Sequence, residues 1–216
     1  LLPTSRILSG LLFLYHSLKI NPLLLDYSSG LIMTDSLLPT IDISALEPIA
    51  TEIVDQYYSL EAIQQVLSTT LNYMDTQPVN LPYFEELDKE EWTTKPKQLG
   101  IYLTDRTEGR ELNLEARDKD YATNILSYPS DLPAFILAEM PEVALGELII
   151  CHEVVEQQAK EQNKTVSEHV THLLVHGILH LLGFDHELGQ AEQDEMEGFE
   201  IAILEKLGIS NPYIAK

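Results

Sequence analysis

Between His176 and His186 the chain reads HGILHLLGFDH, with histidines at i, i+4 and i+10 and a glycine, Gly183, at i+7. This spacing constrains the fold more than any other feature. His172, His176 and His180 follow one another in steps of four, so on a helix they lie along one side. At roughly 1.5 Å rise per residue, eight residues span about 12 Å. Zinc–nitrogen bonds are about 2 Å long, so one metal can bridge one helical turn but not two. The helical pair is therefore 172/176 or 176/180, and a third ligand must come from elsewhere. Gly183 follows the apolar residues Ile178, Leu179, Leu181 and Leu182, and it can take the left-handed conformation that ends a helix. Turned back there, the chain can bring His186 onto the face of His176 and His180. Three neutral imidazoles with an open fourth position are the arrangement of a catalytic zinc. Asp185, beside the third histidine, is a candidate to orient a ligand or take a proton from water. His172, His169 and His152 are expected to be surface or supporting residues, and the acids Glu192, Asp194, Glu195 and Glu197 a solvated face. Met196 is expected in the core.

The spacing matches a large class of zinc peptidases, with one difference. In H-E-x-x-H a glutamate follows the first histidine and activates water; here that position is Gly177. A metal-bound water with its pKa brought near 7 can act without that base. Such chemistry suits a phosphodiester, where the difficulty is charge on the phosphate, and it calls for a positioned arginine whose planar fork matches phosphate oxygens. Arg117 is the candidate. Its other reading is a surface ion pair with Asp118 or Glu115.

Composition narrows the class. The formal charge is −22 over 216 residues, so the chain as a whole is unlike a protein that grips long stretches of nucleic acid by its phosphates. Seven of the 13 Lys and Arg lie between Lys89 and Lys119, together with seven acids, so that segment is neutral. A single cysteine, Cys151, excludes an intramolecular disulfide and a Cys-based zinc site, and it suits a reducing compartment. It reads as a small buried apolar side chain.

Residues 1–32 carry only Arg6, Lys19 and Asp26 as charged residues. Their apolar run is too short and interrupted for a membrane span, and no A-x-A-like cleavage site follows it. We treat 1–32 as an N-terminal extension: upstream sequence left untranslated if Met33 is the start, or otherwise a disordered stretch, a peripheral helix, or a signal or anchor. The domain is expected at 33–216. Within it we expect a short strand at Ile41–Ile43, a helix at Glu61–Tyr73, a loop over 75–98 and a strand at Leu99–Thr104. A short helix around Glu108–Leu114 and a strand or extended loop at Thr123–Pro129 follow. A strand at Ala144–Ile150 precedes helices at Val154–Gln162, Ser167–Leu182 and Ala191–Leu207, the last ended by Gly208.

HGILHLLGFDH resembles the signature of the YbeY family of bacterial endoribonucleases. LNLEARDKDYATNILSYP (Leu112–Pro129), LGELIICHEVVEQQAKEQ (Leu145–Gln162) and EQDEMEGFEIAILEKLGISNPY (Glu192–Tyr213) are similar to further segments of that family. The resemblance covers Leu99–Tyr213 strongly and 41–98 loosely. It implies an α+β fold, a small mixed β-sheet flanked by helices, with a zincin-like metal site on a histidine helix. It places one Zn2+ on His176, His180 and His186, and the family's important arginine on Arg117. It further implies a cytoplasmic zinc-dependent, single-strand-specific endoribonuclease acting in ribosomal RNA processing, 16S 3′-end maturation and ribosome quality control. The partners would be single-stranded regions of ribosomal RNA and the small subunit with its proteins, with no membrane and no DNA. Glu147 and Tyr128 stand where the family usually has Asp and Phe, and the 75–98 segment looks longer and more acidic than usual. Two other functions remain open: a metallopeptidase, opposed by Gly177, and an assembly factor with a structural zinc.

Overall fold

The structure, a computed structural model, describes residues 37–47 and 49–214; the extension expected at 1–32 lies outside them. The described residues form a four-stranded mixed sheet packed against helices. Strands β1 (Thr40–Ala45), β2 (Lys97–Thr104), β3 (Ile125–Pro129) and β4 (Val143–Cys151) are arranged in the order β1-β2-β4-β3. The first three in that order run parallel, and β3 pairs antiparallel with β4 as an edge strand, with Ile125 opposite Ile150 and Tyr128 opposite Glu147. At Gly146, φ is +133° and a Cβ would lie 2.2 Å from the Tyr128 carbonyl oxygen, so only glycine lets β3 close on β4 here.

The helices are α1 (Thr51–Tyr57), α2 (Leu60–Asp75), α3 (Lys89–Thr94), α4 (Arg106–Arg117), α5 (Ala134–Glu139), α6 (His152–Glu161), α7 (Val166–Leu181) and α8 (Gln190–Lys206). The histidine helix α7 is the hub. Its Leu174, Val175, Ile178 and Leu179 are buried against Leu148 and Ile150 of the sheet and Ile63 and Leu67 of α2 in one core. It starts on a capping box: the Thr165 hydroxyl accepts from the Glu168 N–H, and the Glu168 carboxylate accepts from the Thr165 N–H. No helix among the described residues is long and apolar enough to cross a membrane.

The expected strands and the longer helices occur, each within a few residues. The 75–98 segment departs from its reading as a loop. Asp88 accepts from the Glu90 N–H and starts α3, whose Trp92 is buried, packs on Phe84 and donates to Asp75 at 2.9 Å. Tertiary burial of one indole thus overrides the proline-rich, acidic composition. The short α1 and α5 were not expected, nor was the start of α7 at Val166, capped by Thr165, rather than at Ser167. His152 and His169 are 3% and 2% exposed, so they belong to the interior rather than the surface. Cys151 and Met196 are buried, as expected.

Candidate metal centre and its cleft

Helix α7 carries His176 and His180 into a cleft that β3 also lines, and its end brings the third histidine back. Gly183, at φ +101°, follows the last turn; its N–H donates to the His180 carbonyl and the Phe184 N–H to the Leu179 carbonyl. This pair of bonds satisfies two carbonyls that the helix end would otherwise orphan, and it reverses the chain. Ligand atoms of His176, His180 and His186 all lie within 4.8 Å of one another. The His176 and His180 Nε2 atoms are 3.2 Å apart. Two nitrogens each about 2 Å from a tetrahedral zinc would be separated by about 3.3 Å, so the donor set fits such an ion. Burial, then the neighbouring His176 and His186, push the His180 imidazole down to about 4. Its neutral form is the one a metal requires.

Beneath the trio sits a residue that sequence reasoning missed. Glu200 of α8 is 1% exposed and accepts from His176 Nδ1 and His172 Nε2, each at 2.8 Å, and from the Tyr213 hydroxyl. Burial alone would raise its pKa, but the hydrogen bonds and charge of His172 and His176 outweigh burial and hold the carboxyl far below the usual range. With Nδ1–H of His176 committed to Glu200, the Nε2 lone pair points to the other two histidines. A buried carboxylate fixing the tautomer of a ligating histidine is the usual support of a metal site. The signal was present: Met196, Glu200, Ile203 and Leu204 follow helical spacing, and a carboxylate inside that buried stripe demands a partner.

The histidines open into a cleft of about 810 Å3, also lined by Arg117, Asp185, Tyr83 and Tyr128. The structure therefore gathers the residues expected from sequence in one place. Arg117, the last residue of α4, pairs with Glu187 rather than with Asp118 or Glu115, and both partners are exposed. Asp185 accepts from the Glu187 N–H at 2.8 Å, which closes the turn after the metal motif. Glu197, expected on a solvated face, is half-buried in the cleft wall; Glu192, Asp194 and Glu195 are exposed. His172 lines the cleft beside Glu200.

A family model described as Endoribonuclease YbeY matches residues 64–208. The chain belongs to the YbeY endoribonuclease family. As a YbeY-family member it is a nuclease, a hydrolase acting on RNA. It is similar to the endoribonuclease YbeY of Psychrobacter cryohalolentis, 66% identical over 151 residues, which are 68% of this chain and 97% of that protein. The YbeY of Acinetobacter baumannii is 53% identical over 116 residues, 54% of this chain and 73% of that one. A solution structure of a Thermotoga maritima protein, 18% identical, covers 78% of this chain and 92% of its own, with a TM-score of 0.42.

Proposed function

We propose that the chain is a zinc-dependent, single-strand-specific endoribonuclease of ribosomal RNA processing. It acts in the cytoplasm on single-stranded regions of ribosomal RNA, in 16S 3′-end maturation and ribosome quality control, alongside the small subunit and its proteins. The observation that carries this reading is the convergence of three imidazoles and one arginine on a single cleft, with Gly177 in place of the peptidase glutamate. A zinc ion held by His176, His180 and His186 supplies Lewis acidity and a water of lowered pKa. Glu200 keeps the first of these ligands oriented. Arg117 exchanges Glu187 for a phosphate oxygen pair and steadies charge there, a task that its planar fork suits. Asp185 orients a ligand or takes up a proton at the cleft edge.

The test is to offer the zinc-loaded protein single-stranded RNA, duplex RNA and casein. Single-stranded RNA is expected to be cut while the other two persist. In cells lacking the protein, sequencing of ribosomal RNA ends is expected to show unprocessed 16S 3′ termini. Intact RNA with cleaved casein would turn the reading to a peptidase, and neither product to a structural zinc.

A further inference from the structure

The cleft has an electrostatic problem. Among its described lining residues the only lysine or arginine is Arg117, whereas Asp185, Glu187, Glu197 and Glu200 are acids. Arg117 is itself paired with Glu187. Phosphate-driven binding of a single strand gains a salt slope of about −0.7 per neutralised phosphate, so one arginine supplies little grip. Besides the ion held by the three histidines, an RNA strand entering this cleft meets only Arg117 as a cation, so an attachment that does not depend on charge adds grip that the side-chain charges do not supply.

Tyr83 offers one. It lines the cleft yet is 56% exposed. Among the described residues its ring has no aromatic partner and its hydroxyl no hydrogen bond. The backbone beneath it is anchored by its neighbours. Its N–H donates to the Leu182 carbonyl at 3.4 Å, at the end of the histidine helix. Next in the chain Phe84 is buried against Trp92, and Leu87 is buried as well. Gly183 makes the seat: a Cβ there would come within 2.8 Å of Pro82 Cβ and 2.9 Å of the Tyr83 nitrogen. The glycine that returns His186 to the metal site thus also lets Tyr83 dock beside it.

Resting on the endoribonuclease reading, we propose that Tyr83 is a base-stacking platform for single-stranded RNA, fixing one nucleobase beside the metal centre. With the backbone anchored, only the side-chain torsions remain to be fixed on binding, and stacking accepts any base because every base has a π-face. Bases within a duplex have both faces covered, so this contact favours unpaired RNA. It also gives the acidic cleft a mode of attachment that salt weakens little.

The experiment is single-turnover cleavage of a single-stranded oligoribonucleotide by the zinc-loaded full chain, with enzyme concentration varied to separate half-saturation from maximal rate. Tyr83→Ala is expected to raise the half-saturating concentration about 5- to 160-fold, with maximal rate and zinc content unchanged. Tyr83→Phe and Tyr83→Trp are expected to keep wild-type half-saturation. An abasic site walked along the oligonucleotide is expected to reproduce the loss at one position in the wild type and to add nothing there in Tyr83→Ala. Half-saturation in Tyr83→Ala within twofold of wild type, or an abasic penalty that adds fully to the substitution, would overturn the stacking role while leaving the nuclease intact. A wild type that leaves RNA uncut refutes the nuclease reading and the stacking role with it.

Discussion

Replacing Glu200 separates the support of the metal site from the ligands themselves. The carboxylate receives three donors in a place that is 1% exposed. Alanine leaves His172, His176 and Tyr213 without their acceptor. A buried donor left unsatisfied costs roughly 1–3 kcal/mol. The His172 and His176 side chains are 15% and 22% exposed, so water can relieve part of their loss. The lower end applies, and about 3 kcal/mol is expected for the three donors in metal-free protein. Zinc affinity should fall as well, because His176 loses the partner that fixes its tautomer; lost support of this kind weakens binding about 10- to 100-fold. Glutamine keeps the shape and can still accept from His176 through its amide oxygen, while His172 changes tautomer to meet the amide N–H. Exchanging a charge-assisted bond for a neutral one costs about 1 kcal/mol, near fivefold in affinity. The order expected is wild type, then Glu200→Gln, then Glu200→Ala. It is read by competition for zinc against a chromophoric chelator, with urea unfolding in EDTA for the metal-free stability. A folded Glu200→Ala that binds zinc as tightly as wild type would refute the orienting role.

Other outcomes follow from the same geometry. His176→Ala, His180→Ala and His186→Ala are each expected to lose bound zinc by elemental analysis, while His172→Ala retains it. Arg117→Ala is expected to keep zinc but cleave about 10²–10³ more slowly in single turnover, with Arg117→Lys between it and wild type. His169, buried and next to His172 and Lys164, is pushed down to about 4 by burial first. Its unfolded form titrates near 6.5, so its contribution to stability is complete above that pH and is lost as pH falls from about 6.5 through about 4. His169→Gln is expected to flatten that part of the stability–pH curve measured by urea unfolding. A chain starting at Met33 is expected to fold, bind zinc and cut RNA like the full chain in the same assays.

The convergence of His176, His180 and His186 was legible in the sequence because its geometry is local: one helical turn, one glycine and a short return fall within eleven residues, His176–His186. The strands and long helices were legible for the same reason, since periodicity and caps are read over short windows. What distant segments do for each other was not. Glu200 follows His176 by 24 positions and meets it only because α8 packs across α7. Arg117 and Glu187 are 70 positions apart, and from the sequence the expected partners were the local acids Asp118 and Glu115. Asp118 is instead the left-handed cap of α4, at φ 57°. Helix α3 hid behind acidic and proline-rich composition because its stability comes from Trp92 reaching Asp75 and Phe84.

The missing glutamate acquires a physical reason in the packing of α7. A Cβ at position 177 would lie 2.7 Å from Leu148 Cδ2 and 2.9 Å from Ile125 Cδ1, both in the buried core. Position 177 therefore faces the sheet, and the absence of a side chain is what lets the histidine helix lie so close to β3 and β4. A glutamate there would place a carboxylate among apolar side chains at a cost of several kcal/mol. Close packing and a peptidase base thus exclude one another at this residue. The same close approach brings the wall of the cleft formed by β3 against the metal face, with Arg117 just upstream of that strand. An amide bond needs a proton delivered to its leaving nitrogen, and a base held beside the metal can perform that transfer. A phosphodiester chiefly needs its charge met, and the cation that meets it need not sit on the helix. Once the helix has no room for a glutamate, substrates of the second kind are the ones whose needs the remaining residues can fill.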